Sequence, residues 1–391
     1  MTHSNALRSV PYTSTPQPTR PAARERRLDR FAERFRAPVR ALADSHPSLA
    51  DLALSFPALL FALAVPRRLF RPETVIARVI GGARLSEVGA LAEVPSWFRK
   101  LPPEAFTAPL PRLPDGDAFR RQIANHLPRS TRLAPRWLQA VADAAVWGDE
   151  QIAVWTARQI IAEGGLRRAG RLRLLCLWAW HSLRPEAQGH LFIDRPWNDA
   201  MGFGLAERAA KVWHTKAALH LSLGDEPVAD MWLQPSTMGG YEFVPLRTAA
   251  DITTEAVAMR NCLMTYGGDV ARNRARLWSM RKDGERIATL QVVARQSRDP
   301  LPTIVQMERA QNRSCSPVEW WIARQWLHTH DLSRMNIETM ERGRAPLTRA
   351  RWVSLWRPYW LAKRRIPDWL PLAPSRVALD ALLSGPSWPV R

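Results

Sequence analysis

Residues 276–309 constrain the fold of this chain more tightly than any other stretch. Ile287, Thr289, Gln291 and Val293 alternate with Ala288, Leu290, Val292 and Ala294, and a period of two places each set on its own face of a β-strand. Just before them lies Lys282-Asp283-Gly284-Glu285, an Asp-Gly pair of the kind a two-residue hairpin turn needs at its two positive-φ positions. Strands are therefore predicted at 276–282, 286–295 and 303–309, with a longer polar connection over 296–302. A helix is predicted before them, over 249–264, ending ahead of Gly267-Gly268. Another follows, opened by Ser316-Pro317-Val318-Glu319 and running through Trp320, Trp321, Ile322 and Trp326. That opening combines a capping box with proline at the first helical position, where its missing N–H costs nothing. The unit reads as a helix, a three-stranded antiparallel meander and a helix.

The rest of the chain reads as helical, so the fold class is α+β: a largely α-helical N-terminal region followed by this module. A length of 391 residues exceeds what one ordinary core supports. Residues 1–30 are rich in Pro, Thr, Ser and Arg and read as a disordered basic arm, because they hold too little apolar surface to offset chain entropy. A helical domain is expected over 31–225. It starts with Phe31, Phe35, Val39, Leu42 and Leu49 at helical spacing and is interrupted near 95–135 by prolines, which suggest a long connection wrapped over the surface. Trp137, Val141, Ala144, Ile152, Trp155 and Ile160 mark further helix, with Gly164-Gly165 as a stop. Cys176 lies in an apolar run, 171–183, and reads as a core thiol, and a helix is expected over 204–221. The module occupies 231–340. A basic tail, 341–391, carries Trp352, Trp356 and Trp360 every fourth residue, a spacing that stacks them on one helix face for docking onto the main body or for stacking on bases.

Several function classes can be set aside from these residues. Cys176, Cys262 and Cys315 stand far apart, which argues against a disulfide framework or a zinc site and fits a reducing cytoplasm. The longest uncharged stretch, 52–66, contains Pro57 and falls short of the roughly 20 apolar residues that cross a bilayer, so a buried helix or helical hairpin is expected and no integral membrane association. Phosphate-loop, zinc-protease and serine-hydrolase signatures are missing, and no cofactor or metal is implied. Against this, 56 basic residues face 36 acidic ones, for a formal charge of +20. Such an excess favours DNA or RNA as a partner, since bound phosphates release counterions. Only five of the basic residues are lysine, a bias that coding composition explains, although it does not explain the excess of bases over acids.

One constellation stands out within the module. The segment Glu255-Ala256-Val257-Ala258-Met259-Arg260-Asn261-Cys262-Leu263-Met264-Thr265-Tyr266 precedes Leu277-Trp278-Ser279-Met280-Arg281, Ala288-Thr289-Leu290-Gln291 and Ile304-Val305-Gln306, with Asn312 beyond. In this order the pieces resemble the central motif of the PcfJ-like family, over about 245–327. The chain departs from that pattern at Arg260-Asn261, where family members carry a His before the Cys, and at Arg309, within the stretch where a Gly is expected. The resemblance implies a link to bacterial mobile DNA, and so a non-catalytic, nucleic-acid-associated accessory factor. An enzyme with a site at Cys262, Tyr266 and Gln306, or a protein-interaction adaptor built on the N-terminal helices, are the alternatives. Cys262 itself falls on the face of Ile252, Met259 and Tyr266 near a helix C-terminus, where the dipole opposes a thiolate, so a core position is expected. Tyr266, Gln306 and Asn312 are candidates to line one polar cleft, the alternative being that Asn312 serves a turn and Gln306 faces solvent. Arg272, Arg274 and Arg276 are candidates for a basic rim, or for a solvated face if the segment is helical and spreads them around its axis; Arg351, Arg364 and Arg365 of the tail join them as candidates for nucleic-acid contact.

Overall fold

A computed structural model describes residues 20–68, 70–162, 171–224, 226–294, 301–332, 335, 337 and 349–364. The chain divides into two compact units, Met1–Leu172 and Arg173–Arg391. The boundary expected near 225–231 thus moves toward the N-terminus, because two helices assigned to the helical domain belong with the sheet.

The first unit contains α1 (Arg20–Leu28), α2 (Glu33–Asp44), α3 (Pro47–Ser55), α4 (Pro57–Ala64), α5 (Glu73–Ile80), α6 (Leu85–Leu91), α7 (Asp117–Ala124), α8 (Ala134–Trp147) and α9 (Glu150–Ala162). Residues 20–28, expected within the disordered arm, are helical: Leu28 is buried, and Arg40 reaches back to Glu25 at 2.7 Å and to Asp29 at 2.6 Å. The apolar stretch 52–66 is broken at Phe56-Pro57 into α3 and α4. Proline opens the second helix, and Pro57 through Leu63 are all buried. Phe61 of α4 stacks on Phe31 and Phe106 with ring centroids 6.0 and 5.5 Å apart.

The Pro-rich region near 95–135 does not wrap the surface. Trp97, Phe98, Leu101, Phe106, Phe119 and Ile123 within it are core residues. Its prolines shape short turns at Ser96–Lys100 and Pro103–Ala105 that aim these side chains inward. Helix α8 ends at Gly148, where a Cβ would come within 2.8 Å of the Ala144 carbonyl oxygen. The break therefore falls there, while Gly164-Gly165 lie outside the described residues.

The second unit comprises α10 (Leu172–Ser182), α11 (Phe203–Leu223), β1 (Ser236–Met238), β2 (Tyr241–Pro245), α12 (Ala249–Met259), α13 (Gly267–Ala271), β3 (Ala275–Lys282), β4 (Glu285–Ala294), β5 (Pro302–Arg309), β6 (Arg313–Ser314), α14 (Pro317–His328) and α15 (Arg349–Lys363). The three-stranded sheet expected from the sequence is in fact six-stranded, in the order β1-β2-β3-β4-β5-β6, each strand antiparallel to the next. The strands read from sequence are its middle, β3 to β5. Those missed are too short for a period, or, for β2, end in proline. Asp283 and Gly284 have φ of 53° and 81°, the left-handed pair of a tight hairpin.

The sheet is covered on both faces. Trp278, Met280, Ala288, Leu290 and Val292 face α14, where Trp326 stacks on Phe243 at 4.2 Å. Ala275, Leu277 and Val293 face Ile252 and Ala256 of α12, Val270 of α13 and Leu219 of α11. Burying side chains of this size fully is worth roughly 1.5–3 kcal/mol each, which makes the register strongly specified.

Cys176 is buried as expected. Trp356 and Tyr359 of α15 are also buried, packed with Trp180 and His181 of α10, so this face of the tail docks rather than standing free. Trp352 lies outside the described side chains. His181 has no hydrogen-bond partner on either ring nitrogen among the described residues, and complete burial pushes its pKa down to about 3, which keeps it neutral. Gly189 packs directly on this ring: a Cβ there would sit 2.8 Å from the imidazole Cγ and Cε1. Its carbonyl accepts a 2.8 Å bond from Trp213 Nε1. Gly189→Ala is expected to lower unfolding free energy by about 2–3 kcal/mol, since a rigid aromatic cage cannot yield, with the midpoint of chemical denaturation as the measure.

Candidate functional site

The site is assembled by two local irregularities, one on each side of a small cleft. Helix α12 is opened by a capping box between Thr248 and Asp251 and ends at Arg260, which is left-handed at φ 49°. It is therefore shorter than the 249–264 expected, and Cys262 is not on it. The left-handed residue swings the chain so that Asn261 faces the sheet, donating from Nδ2 to Thr289 Oγ1 at 2.9 Å and accepting from the Leu263 N–H at 3.2 Å. A short 3-10 turn, Leu263–Tyr266, follows, anchored by buried Leu263. Gly267 then begins α13 instead of terminating a helix. It is needed for close approach, because a Cβ would lie 2.6 Å from Leu219 Cδ1 and 3.3 Å from Leu219 Cα.

The second irregularity is a bulge in β5. Gln291 pairs with Gln306 and Val292 with Ile304, so Val305 is the extra, unpaired residue. Bulges re-aim side chains: Ile304 and Met307 both turn to the α14 core, while Gln306 turns to the α12 face. There Tyr266 Oη donates to Gln306 Oε1 at 2.6 Å, and Gln306 Nε2 donates to Glu308 Oε1 at 2.8 Å. Asn261, Cys262, Leu263, Tyr266, Thr289, Leu290, Gln291, Gln306 and Glu308 line the cleft, whose volume including its open mouth is about 230 Å³.

Nearby, Glu255 of α12 is 1 % exposed and accepts from Arg286 Nε at 2.8 Å, with Arg281 at 3.8 Å. This cluster fixes the helix to the β3–β4 hairpin beside the cleft.

Chemically the cleft offers a thiol, a phenol, amides and a carboxylate. Burial, then the adjacent Cys262 thiol and the Glu308 carboxylate, hold the Tyr266 phenol above its ordinary pKa, so at neutral pH it is a hydrogen-bond donor and not a base. No histidine, lysine or arginine lines the cleft, and nothing there resembles the cationic partner that activates a nucleophilic cysteine.

Tyr266 and Gln306 are thus brought together as expected. Asn312 is not: it is exposed at φ 57° in the turn between β5 and β6, away from the cleft. Its expected place is taken by Asn261, with Glu308, Thr289 and Gln291 added. Alternation in β4 and β5 hints at these three, since they share strand faces with recognised positions. The core position expected for Cys262 is overturned. Its thiol is exposed, because the helix has already ended.

The basic rim is overturned as well. Arg272 and Arg274 converge on Asp269, and Arg276 is buried. Arg276 donates to the carbonyls of Asp230 at 2.5 Å and Ala275 at 2.9 Å and to Asn273 Oδ1, with its guanidinium 4.5 Å over the Trp232 ring. Burial lowers its pKa to about 10, opposed by Asp230, so it remains charged at neutral pH. Of the tail candidates, Arg364 is exposed with its guanidinium 5.1 Å over Trp360. The Arg351 side chain and all of Arg365 lie outside the described residues.

No family model, curated protein or solved structure matches the chain.

Two predictions follow from this geometry. Limited alkylation with iodoacetamide should modify Cys262 first, as read by peptide mass spectrometry. Cys176 is buried, and burial pushes the half-buried Cys315 thiol up to about 11. Arg276→Ala should cost about 3 kcal/mol of unfolding free energy, because it strands buried acceptors, whereas Arg272→Ala should cost under about 1 kcal/mol, because its half-buried guanidinium makes only a long 3.9 Å ion pair with Asp269.

Proposed function

We propose that this protein is a non-catalytic, nucleic-acid-associated accessory factor whose sheet module is PcfJ-like. One observation carries the reading: a surplus of +20 that internal pairing cannot remove. An ion pair removes a cation and an anion together and leaves the surplus unchanged. Asp269 and Glu255 each serve two arginines, yet arginines remain exposed against aromatic rings, with Arg324 5.5 Å over Trp320 and Arg364 over Trp360. Guanidinium beside an indole suits a strand that offers phosphates and base faces together. The chemistry of the cleft supports the non-catalytic half of the reading, since no histidine, lysine or arginine lines it beside Cys262. The free thiols accord with a reducing cytoplasm.

The rival reading, an enzyme at the cleft, is favoured by the exposed thiol beside the Tyr266–Gln306–Glu308 relay. Binding separates the two. If about six phosphates are engaged, affinity for a single-stranded oligonucleotide should fall roughly 300-fold between 50 and 200 mM salt. Carboxymethylation of Cys262 should leave that binding unchanged. Fluorescence anisotropy at several salt concentrations is the measurement, and absence of binding at low ionic strength would eliminate the proposal.

A further inference from the structure

We infer that the outward face of α14 is a single-strand binding surface, on which the Trp321 indole stacks a base and Arg324 and Arg313 take phosphates. The inference rests on the nucleic-acid reading above and gives it a place and a strand type.

Helix α14 is held rigidly. Ser316 Oγ accepts from the Glu319 N–H, and Glu319 accepts from the Ser316 N–H at 2.7 Å, closing the capping box. Its inner side, Ile322, Ala323, Trp326 and Leu327, is buried in the sheet core. The outer side is unlike that of an ordinary surface helix, on which charges of both signs alternate. Val318 is 64 % exposed and Trp321 61 %, and positions three apart are surface neighbours. Arg324 continues the same stripe and is exposed, with exposed His328 one turn further. The helix's one acid, Glu319, is buried and bound by Arg309, so the face presents no carboxylate from the helix. Arg313, on the strand that leads into the helix, is exposed with its Nε donating to the Ala310 carbonyl at 3.0 Å.

An indole held open on a rigid helix, beside Val318 and with exposed Arg324 one turn on, fits an anionic partner with planar faces. A duplex hides those faces within its stack, so an exposed indole on this helix finds no stacking partner there. A protein partner fits poorly, because two apolar side chains fall well below the roughly 800 Å² per partner of a stable interface.

The test uses the full chain and a labelled oligothymidylate, read by anisotropy at low salt. Trp321→Ala should weaken binding roughly tenfold, within the range for one base-on-ring stack, while Trp321→Phe keeps most of it. Arg324→Ala and Arg313→Ala should each reduce the slope of log affinity on log salt by about 0.7. Duplex of the same length should bind more weakly and ignore Trp321→Ala. Thermal unfolding of the exposed-residue variants should match that of the parent. If the parent binds no single strand, the function proposed above falls and this surface with it. If the parent binds and Trp321→Ala binds equally well, the surface is misassigned while the function stands. Displacement of the strand by polyglutamate at equal charge concentration, or a dimer in sedimentation that Trp321→Ala dissolves, would also overturn it, in favour of an acidic peptide or a second copy.

Discussion

The second unit depends on strand β4 being buried on both faces at once. Its even-numbered side chains, Ala288, Leu290 and Val292, enter the core beneath Trp326, and the odd-numbered Thr289, Gln291 and Val293 look toward α12 and α13. A slip of one residue would exchange the two sets, driving Thr289 and Gln291 into the tryptophan core and turning the Leu290 side chain toward α12. Burying an amide without a partner costs roughly 1–3 kcal/mol, so the register is held by penalties on both sides. The positions of Asn261, Gln306 and the hairpin at Asp283-Gly284 all follow from it.

On that frame, polar chemistry arises only where regularity lapses. A continuous α12 would have carried Cys262 into packing, and an unbulged β5 could not have put Ile304 in the core and Gln306 on the α12 face at once. Arg260 in the left-handed region and Val305 out of register correct both at once and bring Tyr266 within 2.6 Å of Gln306. Non-glycine residues at positive φ carry a conformational cost, and such strain concentrates where a structure positions polar groups. The arrangement nonetheless gives Cys262 no cationic neighbour in the cleft lining. Exposure makes the thiol available to reagents in solution.

What was legible in the sequence follows from the same physics. Alternation over 286–294, the Asp-Gly turn and the Ser316–Glu319 box are local signals with local causes, and each has its expected form in the structure. The end of α12 was not legible, because Met259 and Leu263 continue a helical spacing that the backbone does not follow. The bulge at Val305 leaves no mark in composition. For Asn312 the sequence leaves a cleft position and a turn both open, and the left-handed backbone after β5 decides for the turn. The basic rim failed for another reason. Spacing shows that Arg272, Arg274 and Arg276 are close, but only the fold reveals that Asp269 lies between two of them and that Trp232 covers the third.

This failure sharpens the meaning of the positive charge. A cluster of arginines in sequence is a poor guide to a binding face, since clustered cations repel and are best tolerated where the fold supplies acids or carbonyls to receive them. Arg276 is the extreme case, a buried guanidinium that serves as a structural donor. Cations available to a partner are those backed on one side by something uncharged. Arg324 over Trp320 and Arg364 over Trp360 meet that condition. An aromatic ring stabilises a guanidinium without neutralising it, because a quadrupole cancels no net charge. Cation–aromatic pairs therefore keep the charge of an arginine at the surface, where an acid partner would remove it.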